Sequence, residues 1–153
     1  MLEAQVEQEF DASAETVWAL TGPFGGLKAW LPGVVDCRVE GSGAWDQGGN
    51  AVRLVELMDG SVTKESLLSL DERQYRYRYG ILEAKGFDRN SEYQAEFVVV
   101  PLGVDRCKVC WGARFTLPAS IPAEKAQKAQ QRVQQMYQFF LNHLVGLIKS
   151  NER

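Results

Sequence analysis

A carboxylate and a set of phenols carry the chemistry this sequence has to offer. Glu65 stands in KESLL, Tyr77 and Tyr79 in QYRYRYGI, and Tyr93 in EYQAE. A carboxylate facing an apolar interior is costly unless a cation, a water or a ligand donor satisfies it. A phenol joins a large apolar face to a hydroxyl that can donate or accept. Together these groups suit two tasks: orienting an apolar molecule with a polar tip, or general acid/base work, which needs a pKa shifted by burial and a substrate proton within reach. On a strand, Tyr75, Tyr77 and Tyr79 share one face, and Arg76 and Arg78 share the other. The rings either line a cavity or fill a core, and Tyr77, in mid-row, is the best candidate for the cavity.

Other chemistries are poorly served. His143 is the one histidine, which excludes multi-histidine metal sites and weakens any Ser/His or Cys/His proposal. Nucleophile motifs, phosphate-binding glycine loops and dinucleotide fingerprints are absent, so no metal and no cofactor is expected. Cys37, Cys107 and Cys110 read as thiols; the C-x-x-C of RCKVCWGARF falls on a strand, where positions three apart face opposite ways. With 17 basic and 20 acidic residues the formal charge is -3, which argues against a general nucleic-acid binder. The start, MLEAQVEQEF, has no basic end and no apolar h-region, and no run of 18 apolar residues follows. A cytoplasmic protein without stable membrane insertion is the expectation; a homodimer stays open.

The elements that must position Glu65 and the tyrosines follow from periodicity and turn signals. After a strand near residues 3 to 10, Ser13 caps a short helix bearing Val17, Trp18 and Leu20, and a second helical piece follows Pro23. Strands follow at VVDCRVEG, AVRLVELM, VTKESLLSL, QYRYRYGIL, EYQAEFVVVP and RCKVCWGARFTL, with GSGAWDQGGN as a loop. Beyond Pro118 and Pro122, a stripe of Ala126, Ala129, Val133, Met136, Tyr137, Phe140, Leu144, Leu147 and Ile148 marks a helix of about thirty residues. Gln131, Gln135, Gln138 and Asn142 fall on its far side. So long a helix needs a broad partner, and only the sheet supplies one, with Tyr93, Ala95, Phe97, Val99, Val109, Trp111, Ala113 and Phe115 facing it. No linker divides the chain, so 1–153 reads as one domain.

This order, with AETVWAL, KESLLSLDE, YRYRYGI, EYQAEFVVVP and CKVCWGARFTLP in sequence, resembles the START-like superfamily, also called SRPBCC or birch-pollen-allergen-like. Within it the chain is most similar to the bacterial polyketide cyclase/dehydrase branch, and it is also similar to the plant abscisic-acid receptors. The resemblance implies an α+β helix-grip fold, in which a seven-stranded antiparallel sheet wraps a long C-terminal helix and leaves an apolar cavity. It also implies a lipid-like, polyketide-like or aromatic ligand. Glu65 matches a carboxylate that faces the ligand, Tyr93 a pocket tyrosine, Trp111 a cavity-facing position, and Lys28 falls near a pocket lysine. LMDGSV lacks the receptors' proline-containing gate and EAKGFDRNS their histidine-containing latch, so the resemblance does not carry hormone-gated signalling.

Whether Glu65 faces inward depends on the turn before it. A two-residue Asp59-Gly60 loop sets Glu65 opposite to Val55 and Leu57; a three-residue loop with a glycine bulge puts all three on one face, and this is the register the resemblance favours. Lys28 then pairs with Glu65 or with an acidic ligand, or stays exposed. Trp30, Tyr79, Ala95, Trp111, Val133, Met136 and Phe140 complete the expected ligand-binding set, and Arg53 and Arg114 are expected in solvent. The leading expectation is a binding protein for a small hydrophobic molecule. The alternative is a cyclase, dehydratase or isomerase using Glu65 or a tyrosine as acid/base.

Overall fold

The computed structural model describes residues 1–88 and 90–151. Arg89, in the loop EAKGFDRNS, and Glu152 and Arg153, at the end of the expected 1–153 domain, lie outside the described residues. The chain runs β1 (Leu2–Phe10), α1 (Ala14–Thr21), a 3-10 turn (Leu27–Ala29), β2 (Val34–Glu40), a second 3-10 turn (Trp45–Gln47), β3 (Val52–Leu57), β4 (Val62–Asp71), β5 (Arg76–Glu83), β6 (Tyr93–Gly103), β7 (Arg106–Phe115) and α2 (Ala123–Asn151). The strands form one seven-stranded sheet in the order β1-β7-β6-β5-β4-β3-β2, with antiparallel pairing throughout. This is the expected α+β helix-grip. Bulges interrupt the β4–β5 pairing at Lys64/Glu65 and again at Leu67/Ser69. An extra residue bends a strand and raises its twist, so the sheet curls there toward the helix.

Local chemistry accounts for most boundaries. The Ser13 hydroxyl accepts from the Thr16 N–H at 3.1 Å and caps α1. Pro122 contributes its carbonyl to the Ala126 N–H at 3.0 Å as α2 begins. The loop GSGAWDQGGN contains the second 3-10 turn, ended by Gly48 at φ +82. Tyr75 departs from expectation: it precedes β5 in a turn, with φ +53, and packs against Trp18 at a tilt, ring centroids 5.8 Å apart. The tyrosine row is therefore two strand residues and a turn residue. Asp71 Oδ1 accepts from the backbone N–H groups of Arg73 and Gln74, so the preceding turn captures Tyr75 before the strand starts.

The helix lies on the inner face of the sheet, closest to β1. Tyr137, Leu141, Leu144 and Ile148 are its buried residues. Leu141, outside the expected stripe, has no exposure, whereas Met136 is 42% exposed and His143 is fully on the surface. The stripe turns toward β1 because that edge binds one flank of the helix. The Gln130 side-chain amide donates to the Glu3 carbonyl, Gln134 to the Gln5 carbonyl at 3.4 Å, and Gln138 to the Gln8 side chain at 3.1 Å. Spaced four apart, these glutamines follow one helix flank, and Gln130 and Gln134 occupy backbone carbonyls that an edge strand would otherwise leave bare. Gln138, expected on the far side, belongs to this seam.

Cys107 is buried on the inner face and Cys110 lies on the outer one beside Glu7, so the C-x-x-C holds two separated thiols. Among the described residues no helix is long and apolar enough to cross a membrane. The β3–β4 register rests on Gly60, at φ +86 in the three-residue loop after Leu57. Gly60→Ala forces a side chain into the left-handed region and is expected to lower stability by about 1–2 kcal/mol, read as a lower urea midpoint at unchanged m-value.

Candidate functional site

The Leu57 N–H donates to the Ser61 carbonyl at 2.9 Å, and the ladder then sets Val55 opposite Thr63 and Arg53 opposite Glu65. This is the bulged three-residue loop, and it puts Val55, Leu57 and Glu65 on the inner face. It carries Arg53 there too. The Arg53 side chain, expected in solvent, is 2% exposed, and its Nε donates to Glu65 Oε1 at 2.7 Å. Nη1 donates to the Phe24 carbonyl at 3.1 Å. The rings of Phe24 and Tyr79 cover the guanidinium at 4.4 and 4.8 Å from its carbon, with Tyr77 at 5.6 Å. Burial, the largest single influence, would lower the pKa of Arg53, but the adjacent Glu65 carboxylate together with Tyr77 and Tyr79 outweighs it and holds the guanidinium above its ordinary value.

Beyond this pair the interior is hollow. A cavity of about 390 Å³ lies between β3, β4, β5 and α2, within the range of small-molecule sites. Val55, Leu57, Thr63 and Ile81 form its sheet wall, Leu27 and Leu31 one end, and Met136, Tyr137 and Phe140 its helix side. Ala84 to Phe87 border the mouth. A groove of about 430 Å³ on the outer face is a different kind of surface. There Arg114 pairs with Glu3 at 3.3 Å and Arg78 with Gln94 at 3.1 Å, over the dent left by Gly112. Exposed and already paired, these groups leave little to grip an apolar molecule.

Glu65 is the reachable half of the buried pair, with 13% of its side chain exposed. Among the described residues Arg53 is its donor, at Oε1 alone. The one sealed side-chain polar atom left without a partner among the described residues is Trp30 Nε1, so Glu65 Oε2 opens to the cavity. A second polar cluster faces it. The Trp111 indole N–H donates to the Tyr79 hydroxyl at 3.1 Å, Tyr79 and Tyr137 hydroxyls meet at 3.5 Å, and Tyr137 and Tyr93 hydroxyls are bonded. Trp111 stacks on Tyr137 with centroids 4.1 Å apart and planes 9° from parallel. Burial raises the pKa values of Tyr79, Tyr137 and Tyr93, so these phenols stay protonated across the neutral range.

The structure thus brings Val55, Leu57, Glu65, Tyr79, Tyr93, Trp111, Met136 and Phe140 to one cavity wall. It does not bring Lys28, which is exposed on the 3-10 turn while Arg53 occupies the position beside Glu65. Tyr77 lies outside the wall, 1% exposed against Phe97 and Phe24 and beneath Arg53; burial raises its pKa and Arg53 opposes that rise. Trp30 packs on Phe97 and Trp111 in the closed core, Ala95 is buried in the sheet, and Val133 is half-buried on the helix; none reaches the cavity. Arg114 is outside on the sheet, as expected. Among the wall residues that sequence reasoning missed, Thr63 and Ile81 share the alternation of Glu65 and Tyr79, and Leu27 and Leu31 are four apart. Phe87 sits in a loop without periodicity. Among the described residues no cluster of three or more metal-ligating side chains occurs.

The sequence model of a family described as polyketide cyclase/dehydrase and lipid transport matches residues 1–149. Among solved structures, the protein XoxI from Bacillus cereus is 25% identical with a TM-score of 0.81, covering 100% of this chain and 99% of that one. Norcoclaurine synthase from Thalictrum flavum, in complex with dopamine and hydroxybenzaldehyde, is 19% identical with a TM-score of 0.69, covering 97% and 86%. The di-domain ARO/CYC BexL from the BE-7585A biosynthetic pathway is 16% identical with a TM-score of 0.79, covering 97% of this chain and 47% of that one. No curated protein matches the sequence.

Removing one partner of the buried pair leaves the other uncompensated. Arg53→Met is expected to cost about 2–4 kcal/mol, less than a fully sealed pair because Glu65 touches the cavity. Arg53→Met/Glu65→Leu should recover more than half of that loss, and urea unfolding of the four proteins in a double-mutant cycle measures the coupling. The tyrosines give a pH signature. Their folded pKa values lie above the ordinary 10.0, so their contribution is complete below that pH and is lost as pH rises beyond it, when the unfolded chain releases protons first. Phenolate absorbance from Tyr79 and Tyr137 should therefore appear together with alkaline unfolding, and Tyr79→Phe should remove part of that step.

Proposed function

We propose that this chain, which belongs to the polyketide cyclase/dehydrase and lipid transport family, holds a small hydrophobic molecule in the cavity between sheet and α2. The carrying observation is the composition of that wall: aliphatic and aromatic side chains around a space of about 390 Å³, with the Glu65 carboxylate and the tyrosine hydroxyls as its inner polar features. Apolar walls supply affinity through area removed from water, and a few fixed polar groups supply orientation. Val55, Leu57, Ile81, Met136 and Phe140 take the first role; Glu65 and Tyr93 take the second. Tyr77 contributes indirectly, as the floor under Arg53.

The likeness to an ARO/CYC di-domain and to norcoclaurine synthase raises the alternative of a cyclase or dehydratase. Two features favour holding over proton transfer. Glu65 is committed through Oε1 to Arg53, and burial keeps the facing phenols protonated, which makes them poor bases.

Nile red, a neutral apolar dye, tests the reading. It should bind saturably at one site per chain. Val55→Trp fills the space between Leu57 and Thr63 and should weaken the dye by about tenfold, equivalent to about 1.4 kcal/mol, without loss of cooperative unfolding. Absence of saturable binding, or equal affinity for the filled variant, would rule the cavity out as the site.

A further inference from the structure

The geometry points to a specific class of ligand: a neutral apolar molecule bearing a hydroxyl, a phenol or an alcohol, whose O–H donates to Glu65 Oε2. The inference rests on the cavity being the binding site and adds a charge and a hydrogen-bond polarity to the molecule that occupies it.

The argument starts from which half of the ion pair a ligand can touch. Arg53 is 2% exposed and Glu65 13%. The guanidinium is spent on Glu65 Oε1 and the Phe24 carbonyl, and the rings of Phe24 and Tyr79 cover it. What the cavity presents is therefore a carboxylate oxygen, an acceptor with no donor among the described residues. A ligand that brings an acceptor to this point leaves both oxygens unpaired, and one that brings an anion adds repulsion at contact distance. A donor is the group that satisfies it.

Net charge settles which donor. Arg53 already neutralises Glu65, so the pair is electrically balanced before any ligand arrives. An ammonium would shed its hydration to enter a site whose negative charge has been answered. A hydroxyl sheds far less and still completes the carboxylate's hydrogen bonding. The one other cation on the wall among the described residues is Lys85 at the mouth, 75% exposed and paired with Asp59 at 3.2 Å. A pair in water of this kind is worth little and does not offset repulsion at the inner end. The tyrosine cluster agrees with the assignment: its hydroxyls are protonated, so they can donate to the ligand oxygen that donates to Glu65.

Three ligands of one shape test this: 2-naphthol, 2-naphthoate and 2-naphthylmethylammonium, titrated at pH 7 by calorimetry with Nile red displacement in parallel. The naphthol should bind about tenfold or more tighter than either ion. Glu65→Gln should reduce that preference; because it strands Arg53 and can impair folding, the uncharged pair Arg53→Met/Glu65→Gln serves as the second variant and should narrow the gap between naphthol and naphthoate by about threefold or more, the remainder being the dehydration of the anion itself. Naphthoate or the ammonium binding as tightly as naphthol would overturn the inference, as would a preference undiminished in the uncharged pair. Failure of all three ligands where Nile red still binds would overturn it alone. Failure of Nile red as well would overturn the cavity reading beneath it.

Discussion

A guanidinium removed from water requires an answering carboxylate, and the ion pair between Arg53 and Glu65 organises this interior around that requirement. It fixes the register of two strands, because the partners face each other directly across the β3–β4 ladder. It ties the segment after α1 to the sheet through the Phe24 carbonyl. It also sets the boundary between two regions of one inner face. On one side Tyr77, Phe97, Trp30 and Trp111 close into an aromatic core with centroids 5.3 to 5.8 Å apart. On the other, shorter aliphatic chains stand clear of the helix and leave space. A buried pair of this kind contributes little net stability compared with a well-packed apolar replacement. What it provides is placement of a carboxylate oxygen where packing alone would leave none.

The hollow follows from side-chain size along the rows of the sheet. Across β1, β7, β6 and β5 one row reads Ala4, Ala113, Ala95, Tyr79, and the next reads Val6, Trp111, Phe97, Tyr77. Bulk is concentrated in the second row. β3 and β4 present Val55, Leu57 and Thr63 instead, shorter chains that leave space beneath the helix. Tyr137 partly bridges the gap by stacking on Trp111 and reaching the Tyr79 and Tyr93 hydroxyls. Its ring caps the core and forms one wall of the cavity.

Most of the fold was legible because its signals are local and repeated: alternation in six later strands, a capping serine, and a long helical stripe. Glu65 was legible through the resemblance, which favoured the bulged loop over the two-residue one, and Gly60 at φ +86 supports that loop. The same register already implied Arg53, which shares the parity of Val55 and Leu57, yet the usual preference of arginine for solvent hid it. Lys28, near a pocket lysine by resemblance, took the other of its readings and stands exposed. Tyr75 failed because its own backbone, caught by Asp71 in a turn, overrode the alternation. Tyr77 kept its alternation but landed in the filled part of the core, a distinction that depends on neighbours across the sheet and leaves no trace in strand period. Phe87, in a loop, left no periodic trace at all.

The seam of Gln130, Gln134 and Gln138 along β1 makes the grip asymmetric. One flank of α2 is stitched to β1, while the other, carrying Met136 and Phe140, lines the cavity together with Ala84 to Phe87 of the loop after β5. Three amide hydrogen bonds spaced along one margin hold the helix in lengthwise register with β1. The polar fastening and the hollow thus occupy different flanks of one helix, so that filling the hollow need not disturb the bonds that hold the helix in place.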